Sequence, residues 1–362
     1  MNSDQSCNKE KLGFGILGCG NISDTHALAI SELEDATLLS VCDIVPEKAM
    51  KMAAKYNCSY DLHIDDLLKR EDIDVICICT PSGLHSKHGI QAARAKKHLI
   101  IEKPIDVSLI AAKELIQVCK EEGVLLCGIS QHRFDDDIIR LKEAVSSGKL
   151  GQLNFGGSHT KWFRSQNYYD SGDWRGTWEL DGGGALMNQS IHYIDLLQYI
   201  MGPVDEVFAY CVTRAHENIE VEDIGIATVK FKSGAVGVIE GNTAAFPGYC
   251  TRLDIYGTDG SVVIINDKIH DWNLKSEGVT EADFGRATTE EDYTRSGAIK
   301  GWASTPGVWH TSHQREIKDM ITAIKEGNAP KIPGEEAIKP LEIILAIYES
   351  ARIGKPVKIP LI

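Results

Sequence analysis

Residues 12–23, LGFGILGCGNIS, join a short apolar run to a glycine-rich turn and the first residues of a helix-length segment. The apolar run Leu12–Leu17 predicts a β-strand, and an α-helix is predicted from Ser23 to Leu33. Between them, Gly18 permits a tight turn, and Gly20 lets backbone N–H groups approach a pyrophosphate at the helix N-terminus. The motif alone also fits an ordinary glycine-rich turn, so its position between strand and helix carries the prediction.

The alternation of strands and helices continues to about residue 132. Further apolar runs predict strands, separated by helix-length segments, at 36–42, 74–79, 98–101 and 124–129. Strand–helix–strand units with short connections predict right-handed crossovers and therefore a doubly wound parallel sheet. We expect this α/β domain over 12–132, after a polar N-terminal tail of residues 1–11 that lacks the apolar segment of a signal peptide.

A different pattern begins after residue 133. Longer alternating segments predict strands at 152–163, 204–215, 224–232, 235–242 and 251–265. Two of these segments flank Ser233-Gly234, a pair typical of a two-residue hairpin turn, and hairpins join antiparallel strands. We therefore predict a second domain over 133–362, of α+β type with a large, mainly antiparallel sheet.

The composition is that of an ordinary globular chain. Its 362 residues carry a formal net charge of −14, which repels nucleic acid and anionic lipid surfaces and makes both poor partners. No apolar run approaches the roughly 18 residues that a membrane-spanning helix needs. The 10 cysteines are scattered without a CxxC pair, so we expect free thiols, no metal site and a reducing, cytoplasmic location.

Asp43 ends the second predicted strand, where a dinucleotide-binding fold places a carboxylate that accepts the adenosine ribose hydroxyls. Such a carboxylate repels a 2′-phosphate, and the following Ile44, Val45 and Pro46 provide no arginine to bind one. These residues favour NAD over NADP as the cofactor. An aspartate that only caps the turn is the alternative, and it would leave the cofactor preference open.

Lys103 lies in the sequence Glu102-Lys103-Pro104, directly after the strand predicted at 98–101. The carboxyl end of a parallel strand opens on the ligand crevice, and the proline restricts the direction in which the lysine projects. An ammonium group there can hydrogen-bond a hydroxyl or carbonyl oxygen of a substrate. A solvated surface lysine is the commoner fate of this residue type, so the position in the fold carries the argument.

The helix predicted over 186–201 carries Asn188 and His192 one turn apart, on the same face. The glycines of Asp181-Gly-Gly-Gly, just before it, allow a ligand to approach closely. An imidazole beside an amide in such a place can accept a hydroxyl proton near neutral pH. Considered alone, the helix also fits a partly buried histidine that only bonds to its neighbours.

The segment 162–178, WFRSQNYYDSGDWRGTW, concentrates aromatic and basic residues in a chain that is 7% aromatic. Its rings can stack on a sugar or a base, while Arg164 or Arg175 binds a phosphate or a carboxylate. A structural aromatic cluster over the sheet is an equally open alternative.

Three segments together resemble the glucose–fructose oxidoreductase/inositol dehydrogenase (Gfo/Idh/MocA) family. They are GILGCGNIS at 15–23, CTPSGLHSKHGIQAARAKKHLIIEKP at 79–104 and GGGALMNQSIHYIDLLQYIMGPV at 182–204. The resemblance implies a Rossmann domain and an antiparallel-sheet domain that use a nicotinamide cofactor to oxidise or reduce sugars and cyclitols. It also implies a homodimer or homotetramer formed through an open face of the second sheet.

By this resemblance, Lys103 contacts the reacting hydroxyl and His192 is the catalytic histidine. The family often has an aspartate four residues before that histidine, where this chain has Asn188, an amide that cannot act as a base. The asparagine and the aromatic segment resemble the branch that oxidises UDP-N-acetylglucosamine or its uronate at C3. Expected cofactor contacts are Gly18, Cys19, Gly20, Asn21, Ile22, Asp43, Thr80, Pro81, His85, Glu102 and Lys103. Expected substrate contacts are Lys103, Arg164, Tyr169, Trp174, Arg175, Asn188 and His192.

The predicted function is NAD-dependent hydride transfer from a secondary hydroxyl of a pyranose, with C3 of a UDP-amino sugar or its uronate as the expected position. An inositol or free-sugar dehydrogenase and an NAD-assisted glycosidase of the same fold stay open as alternatives. A redox-silent NAD-binding regulator is an alternative from a different class, because a Rossmann fold does not imply catalysis.

Overall fold

A computed structural model describes residues 10–280 and 310–361 of the chain, which falls into two compact units. The first unit contains Met1–Phe134, Trp178–Gly182 and Thr305–Leu341, and the second contains Asp135–Thr177, Gly183–Ser304 and Glu342–Ile362. The predicted boundary at 132/133 lies next to Phe134, where the chain first leaves the first unit. A continuous segment 12–132 omits the two later segments of that unit, Trp178–Gly182 and Thr305–Leu341. The predicted tail 1–11 lies outside the described residues except for Glu10 and Lys11.

Six strands form the sheet of the first unit: β1 Leu12–Leu17, β2 Ala36–Cys42, β3 Ser59–Asp61, β4 Val75–Ile78, β5 His98–Ile101 and β6 Leu126–Gly128. Their order is β3-β2-β1-β4-β5-β6, and every neighbouring pair is parallel. The strand order reverses at β1 and β4, so the carboxyl ends of these two strands border the crevice where such sheets bind ligands. The predicted doubly wound parallel sheet is confirmed.

Helices connect these strands and continue through the rest of the chain. They are α1 Asn21–Ser31, α2 Pro46–Tyr56, α3 Ile64–Leu68, α4 His85–Arg94, α5 Leu109–Glu122, α6 Asp136–Ser146, α7 Gln166–Asp170, α8 Ile191–Met201, α9 His310–Glu326 and α10 Gly334–Ile353. Helix α9 returns to the first unit because its apolar residues Ile317, Met320 and Ile321 are buried in the same core as β1 and α1. Among residues 10–280 and 310–361, no helix is both long and apolar enough to cross a bilayer.

Eight strands form the sheet of the second unit: β7 Leu153–Lys161, β8 Val204–Val212, β9 Ile224–Phe231, β10 Val236–Asn242, β11 Thr251–Gly257, β12 Gly260–Ile265, β13 Lys268–Leu274 and β14 Val357–Lys358. Their order is β13-β12-β11-β7-β10-β9-β8-β14. Only β10 and β7 pair in parallel; the other described pairs are antiparallel. The predicted, mainly antiparallel α+β unit is therefore confirmed.

Two predicted segments of this second unit differ from the structure, and β13 and β14 were not predicted. The segment 251–265, predicted as a single strand, is broken into β11 and β12 by a turn at Thr258 and Asp259. The helix predicted from residue 186 begins as a π-helical segment, Ala185–Ser190, which continues into α8. Hydrophobic periodicity signals a helix but does not distinguish its hydrogen-bonding pattern, and π-helical turns often lie at functional sites.

Candidate functional site

The glycine-rich turn after β1 is tight at Gly18 and open at Gly20. Gly18 has φ +95°, and a Cβ atom on it would lie 2.7 Å from the carbonyl oxygen of Cys79, so only glycine fits. A Cβ on the exposed Gly20 would meet no atom within 4 Å, so this position leaves open space at the N-terminus of α1. Ser23, three residues after Gly20, is buried, and its hydroxyl donates to the carbonyl of Gly20.

The carboxylate of Asp43 is fixed at the end of β2. One oxygen accepts the backbone N–H of Cys19 at 2.8 Å, and the other accepts the N–H of Val45, also at 2.8 Å. Each oxygen keeps a lone pair for a further donor. Asp43 therefore joins the glycine-rich turn to the end of β2 and is half-exposed at the position expected for ribose recognition. The open space at Gly20 and this carboxylate fit NAD.

The turn after β4 bears Thr80 and Pro81, which are partly exposed. The hydroxyl of Thr80 lies 3.1 Å from Nδ1 of His88, and burial lowers the pKa of His88 to about 4. His85 differs from the expectation that it contacts the cofactor. It is buried, with Nε2 2.8 Å from the Thr80 carbonyl and Nδ1 2.7 Å from the Pro104 carbonyl, so both ring nitrogens are occupied by the protein.

Glu102 was expected to contact the cofactor, but the structure directs its side chain into the first unit. Its Oε1 lies 2.8 Å from Nε2 of His26, and its Oε2 accepts the backbone N–H of Lys103 at 3.1 Å. The neighbouring Lys103 is half-buried and precedes Pro104 through a cis peptide bond. The physical reason for the difference is pairing, since a buried carboxylate is stable where donors surround it.

In the second unit, a buried glutamate caps the segment that bears Asn188 and His192. Oε2 of Glu222 accepts the N–H of Gly184 at 3.0 Å, and Oε1 accepts the N–H of Leu186 at 2.8 Å. The Tyr348 hydroxyl donates to the same Oε1 at 3.0 Å. Burial raises the pKa of Glu222 to about 7, against the opposing effect of these hydrogen bonds.

The glycines before this helix allow its close packing. A Cβ on Gly184 would lie 1.8 Å from the Glu222 carbonyl oxygen, and one on Gly183 would lie 2.1 Å from the Tyr348 hydroxyl oxygen. The N–H of Asn188 donates to the carbonyl of Gly184 at 3.0 Å. Asn188 and His192 are each half-buried, in contrast to most of their neighbours on the helix, which are fully buried.

The aromatic segment forms a cluster of two arginines around one tyrosine. The guanidinium of Arg164 lies 5.2 Å from the ring centre of Trp162 and 5.0 Å from that of Tyr168. The guanidinium of Arg175 lies 4.3 Å from the Tyr168 ring and 4.6 Å from the Trp174 ring. Arg175 also donates to the Tyr168 hydroxyl at 2.6 Å. Both cations therefore share Tyr168.

Tyr169, the predicted substrate contact, is 5% exposed, and its hydroxyl lies 2.9 Å from Oγ1 of Thr243. Tyr168 takes its place in the arginine cluster, because adjacent residues on the short helix α7 point in different directions. Gln189 completes the cluster: its amide oxygen accepts Arg164 at 2.6 Å, and its amide nitrogen donates to Tyr168 at 2.9 Å.

Two family models match the chain. Residues 12–129 match a family model described as an oxidoreductase family with an NAD-binding Rossmann fold, and residues 138–263 match the GFO/IDH/MocA C-terminal domain. The chain belongs to the Gfo/Idh/MocA family. The predicted family and the predicted NAD cofactor are both confirmed.

Relatives of this family match nearly the full length of the chain. Myo-inositol 2-dehydrogenase of Thermotoga maritima is 28% identical over 96% of this chain and 98% of its own. Inositol 2-dehydrogenase of Rhizobium meliloti is 25% identical over 96% of this chain and 98% of its own. The WlbA dehydrogenase of Bordetella pertussis, solved in complex with NADH and UDP-GlcNAcA, is 31% identical with a TM-score of 0.84, covering 97% of this chain and 100% of that one.

This Gfo/Idh/MocA protein is an NAD-binding oxidoreductase of sugars or polyols, as predicted at that level. The structure brings the predicted glycine turn and Asp43 together by hydrogen bonds, and Arg164, Trp174 and Arg175 by ring contacts. Sequence reasoning missed the residues that support these sites. They are His26, His313, Tyr168, Gln189, Glu222 and Tyr348. Their signal lies in buried polar partners that are distant in sequence, which a single sequence does not reveal.

Proposed function

We propose that the chain oxidises a secondary hydroxyl of a nucleotide-activated amino sugar or its uronate, at C3 of the pyranose. The main observation that supports this proposal is the pair of arginines around Tyr168. Among the residues that the structure describes, neither Arg164 nor Arg175 forms a salt bridge with a carboxylate. Burial and, to a lesser degree, the charge of Arg175 lower the pKa of Arg164, so a bound anion would relieve a cost that the free protein carries.

The chemistry of the cluster fits a UDP-sugar. Diphosphate and uronate oxygens accept hydrogen bonds from the paired N–H groups of arginine, and aromatic ring faces stack on a sugar or a base. A neutral cyclitol needs no such pair of cations. The likeness to WlbA, whose structure contains UDP-GlcNAcA, supports the same substrate class. The likeness to the inositol dehydrogenases keeps a cyclitol as the second candidate.

Each candidate residue then has a separate task. Gly18, Cys19, Gly20, Asn21 and Ile22 hold the pyrophosphate of NAD, and Asp43 accepts its adenosine ribose hydroxyls. NAD supplies a hydride acceptor when bound. Lys103 donates a hydrogen bond to the reacting oxygen, and His192 accepts the hydroxyl proton. Asn188 orients the substrate through its amide, because an amide does not take up a proton near neutral pH.

One face of the second sheet supports the predicted homodimer or homotetramer. Apolar side chains are exposed there on β8, β9 and β10, and they include Tyr210, Val212, Ile226 and Val236. A soluble protein rarely leaves such a patch uncovered. We expect light scattering coupled to gel filtration to give two or four chains per particle, and a monomer would refute this part of the proposal.

The function is tested on a panel of UDP-GlcNAc, UDP-GlcNAcA, glucose and myo-inositol with NAD present. We expect the UDP-sugars alone to raise the melting temperature and to form NADH, seen as absorbance at 340 nm. Arg164→Gln raises KM for the UDP-sugar about 10- to 100-fold, the value of a hydrogen bond to a charged group. Arg140→Gln is the matched control, because Arg140 also stacks on a tryptophan, Trp272, but is exposed.

Other outcomes select the alternatives. Turnover of myo-inositol that is unchanged by Arg164→Gln selects the cyclitol dehydrogenase. Tight NAD binding without NADH formation on any sugar selects the redox-silent regulator. Sugar release without net NADH selects the NAD-assisted glycosidase.

A further inference from the structure

Three buried histidines surround the turn that bears Lys103, and they come from three different helices. His26 belongs to α1, His85 begins α4, and His313 belongs to α9. We propose that these histidines are positioning residues that fix the turn at Glu102 and thereby the direction of the Lys103 side chain. The inference rests on the proposed role of Lys103 in the reaction.

The first set of positioning contacts is made by Glu102, directly before Lys103. Oε1 of Glu102 lies 2.8 Å from Nε2 of His26 and 3.5 Å from Nε2 of His313, while Oε2 accepts the Lys103 N–H at 3.1 Å. The rings of the two histidines meet edge to face, with centres 5.3 Å apart. All three side chains are buried, so the carboxylate has little freedom to turn away from the Lys103 backbone.

The charge state strengthens this arrangement. Burial opposes ionisation of Glu102, but the hydrogen bond from His26 and the nearby His313 ring outweigh it and hold the pKa of that carboxyl well below its usual range. Burial lowers the pKa of His26, against the effect of Glu102. An ionised carboxylate facing an imidazole N–H forms a charge-assisted hydrogen bond, which is shorter and stronger than a neutral one.

The second set of positioning contacts is made by His85 with Pro104, directly after Lys103. His85 places its two ring nitrogens 2.7 Å from the Pro104 carbonyl oxygen and 2.8 Å from the Thr80 carbonyl oxygen. Through this one ring, the turn after β5 is joined to the turn after β4, which borders the proposed cofactor site. Lys103 is therefore held by buried groups on both sides along the chain.

A metal ion is the main rival interpretation of the His26, Glu102 and His313 cluster, whose ligand atoms all lie within 4.8 Å of one another. Two ligands on a tetrahedral zinc ion are about 3.3 Å apart. The 2.8 Å between Nε2 of His26 and Oε1 of Glu102 is instead a direct hydrogen bond.

The experiment compares His26→Gln, which keeps an N–H near the position of Nε2, with His26→Leu, which removes it. His98→Leu is the matched control, because His98 accepts the Leu125 N–H at 3.0 Å at the opposite end of β5. We expect His26→Leu to lower kcat about 10- to 100-fold with KM for NAD unchanged, and His26→Gln to restore most of it. His98→Leu should keep the parental kcat.

A second readout does not depend on the substrate. Acetylation of Lys103 by limiting acetic anhydride is followed by mass spectrometry and normalised to the exposed Lys113. His26→Leu and Glu102→Gln should change this rate at least threefold, and His98→Leu should not. If the proposed sugar is wrong, kinetics fail but labelling still responds; if labelling is the same in all variants, positioning is refuted.

Folding failure and metal binding are also covered. If His26→Leu does not fold, His313→Gln and His85→Gln are measured for the same two quantities, and unchanged values in both overturn the proposal. Elemental analysis of the purified full chain should find less than 0.1 metal ion per chain, on the order of a trace contaminant. One zinc per chain, lost together with activity on chelation, would replace the positioning role with a metal site.

Discussion

Two buried glutamates, one in each unit, lie beside the segments that bear the candidate catalytic residues, yet their ionisation shifts in opposite directions. Glu102 is 5% exposed and Glu222 is 4% exposed, so burial alone would raise both pKa values. Burial does raise the pKa of Glu222 to about 7. At Glu102 the hydrogen bond from His26 and the nearby His313 ring overcome burial, and the pKa falls well below the usual range.

The difference shows that the kind of donor, more than the degree of burial, sets the charge of these carboxyls. Glu102 accepts a direct hydrogen bond from the His26 ring at 2.8 Å, and the His313 ring lies 3.5 Å away. Glu222 faces the backbone N–H groups of Gly184 and Leu186 and one tyrosine hydroxyl, which are neutral dipoles. The Lys103 turn is therefore held by an ionised carboxylate throughout the neutral range, whereas the cap of the His192 helix exchanges its proton near pH 7.

The largest expected effect tests whether the Lys103 turn and the His192 helix serve the same reaction. Lys103→Met and His192→Ala should each lower kcat roughly 10²- to 10⁴-fold, because one removes the hydrogen bond to the reacting oxygen and the other removes the group that accepts its proton. Steady-state NADH formation on the active sugar measures this effect, and NADH fluorescence titration serves as the control for cofactor binding. Near-parental turnover in either variant would show that the substituted residue is not catalytic. The buried glutamate beside that residue would then have no role in the reaction.

The next effect concerns stability against pH. The folded-state pKa of Glu222, about 7, lies above its usual value of 4.5, so the native state binds the extra proton. Stability from this group is full below about pH 4.5 and is lost as pH rises to about 7, by about 3 kcal/mol. In Glu222→Gln this loss should be absent, as measured by urea unfolding at pH 5, 6, 7 and 8.

Glu102→Gln is the matched contrast for this measurement. Its folded-state pKa is depressed, so the stability it contributes is present above pH 4.5 and is lost only as pH falls below that value. Between pH 5 and 8 its slope should therefore equal that of the parent. Parallel slopes for the parent and Glu222→Gln would show that the two glutamates do not differ.

A smaller effect separates the two glycine-rich segments. Gly184→Ala places a methyl group 1.8 Å from the Glu222 carbonyl oxygen, so it should cost roughly 1–3 kcal/mol of stability as the backbone shifts. Gly20→Ala meets no protein atom within 4 Å, so it should leave the melting temperature unchanged and weaken NADH binding about tenfold. Thermal unfolding and NADH titration measure both; the reverse pattern would contradict the assignment of the first segment to the cofactor.

The smallest effect uses a third carboxylate, which is half-exposed. Asp43 resembles Glu222 in its two backbone donors, the N–H groups of Cys19 and Val45. Asp43→Asn removes the charge that repels a 2′-phosphate and should raise the ratio of NADP to NAD turnover about tenfold. Asp24→Asn, which breaks an exposed pair with Lys55, should leave the ratio unchanged. An unchanged ratio in both variants would mean that Asp43 only caps the turn.

The sequence predicts the parts of this molecule that depend on neighbouring residues. The spacing of apolar residues predicted the strands and helices of the parallel sheet. The glycine at position 18 predicted a tight turn, because its φ is one that glycine alone adopts readily. Contacts between distant residues could not be predicted, because 287 positions separate His26 from His313 and nothing local in either helix marks the pairing. The choice of Tyr168 over Tyr169 depends on the rotation of α7, which is too short for periodicity to define.

The return of α9 to the core of β1 also has a consequence for synthesis. The first unit is interrupted after Phe134 and is completed only by Thr305–Leu341, roughly 200 residues later. At about 5–20 residues per second, a ribosome needs about 10–40 seconds to make that stretch. Until then His26 and Glu102 lack their third partner, His313. The apolar surface that Ile317 and Met320 later cover also stays exposed. We therefore expect chaperones to bind the first unit during synthesis.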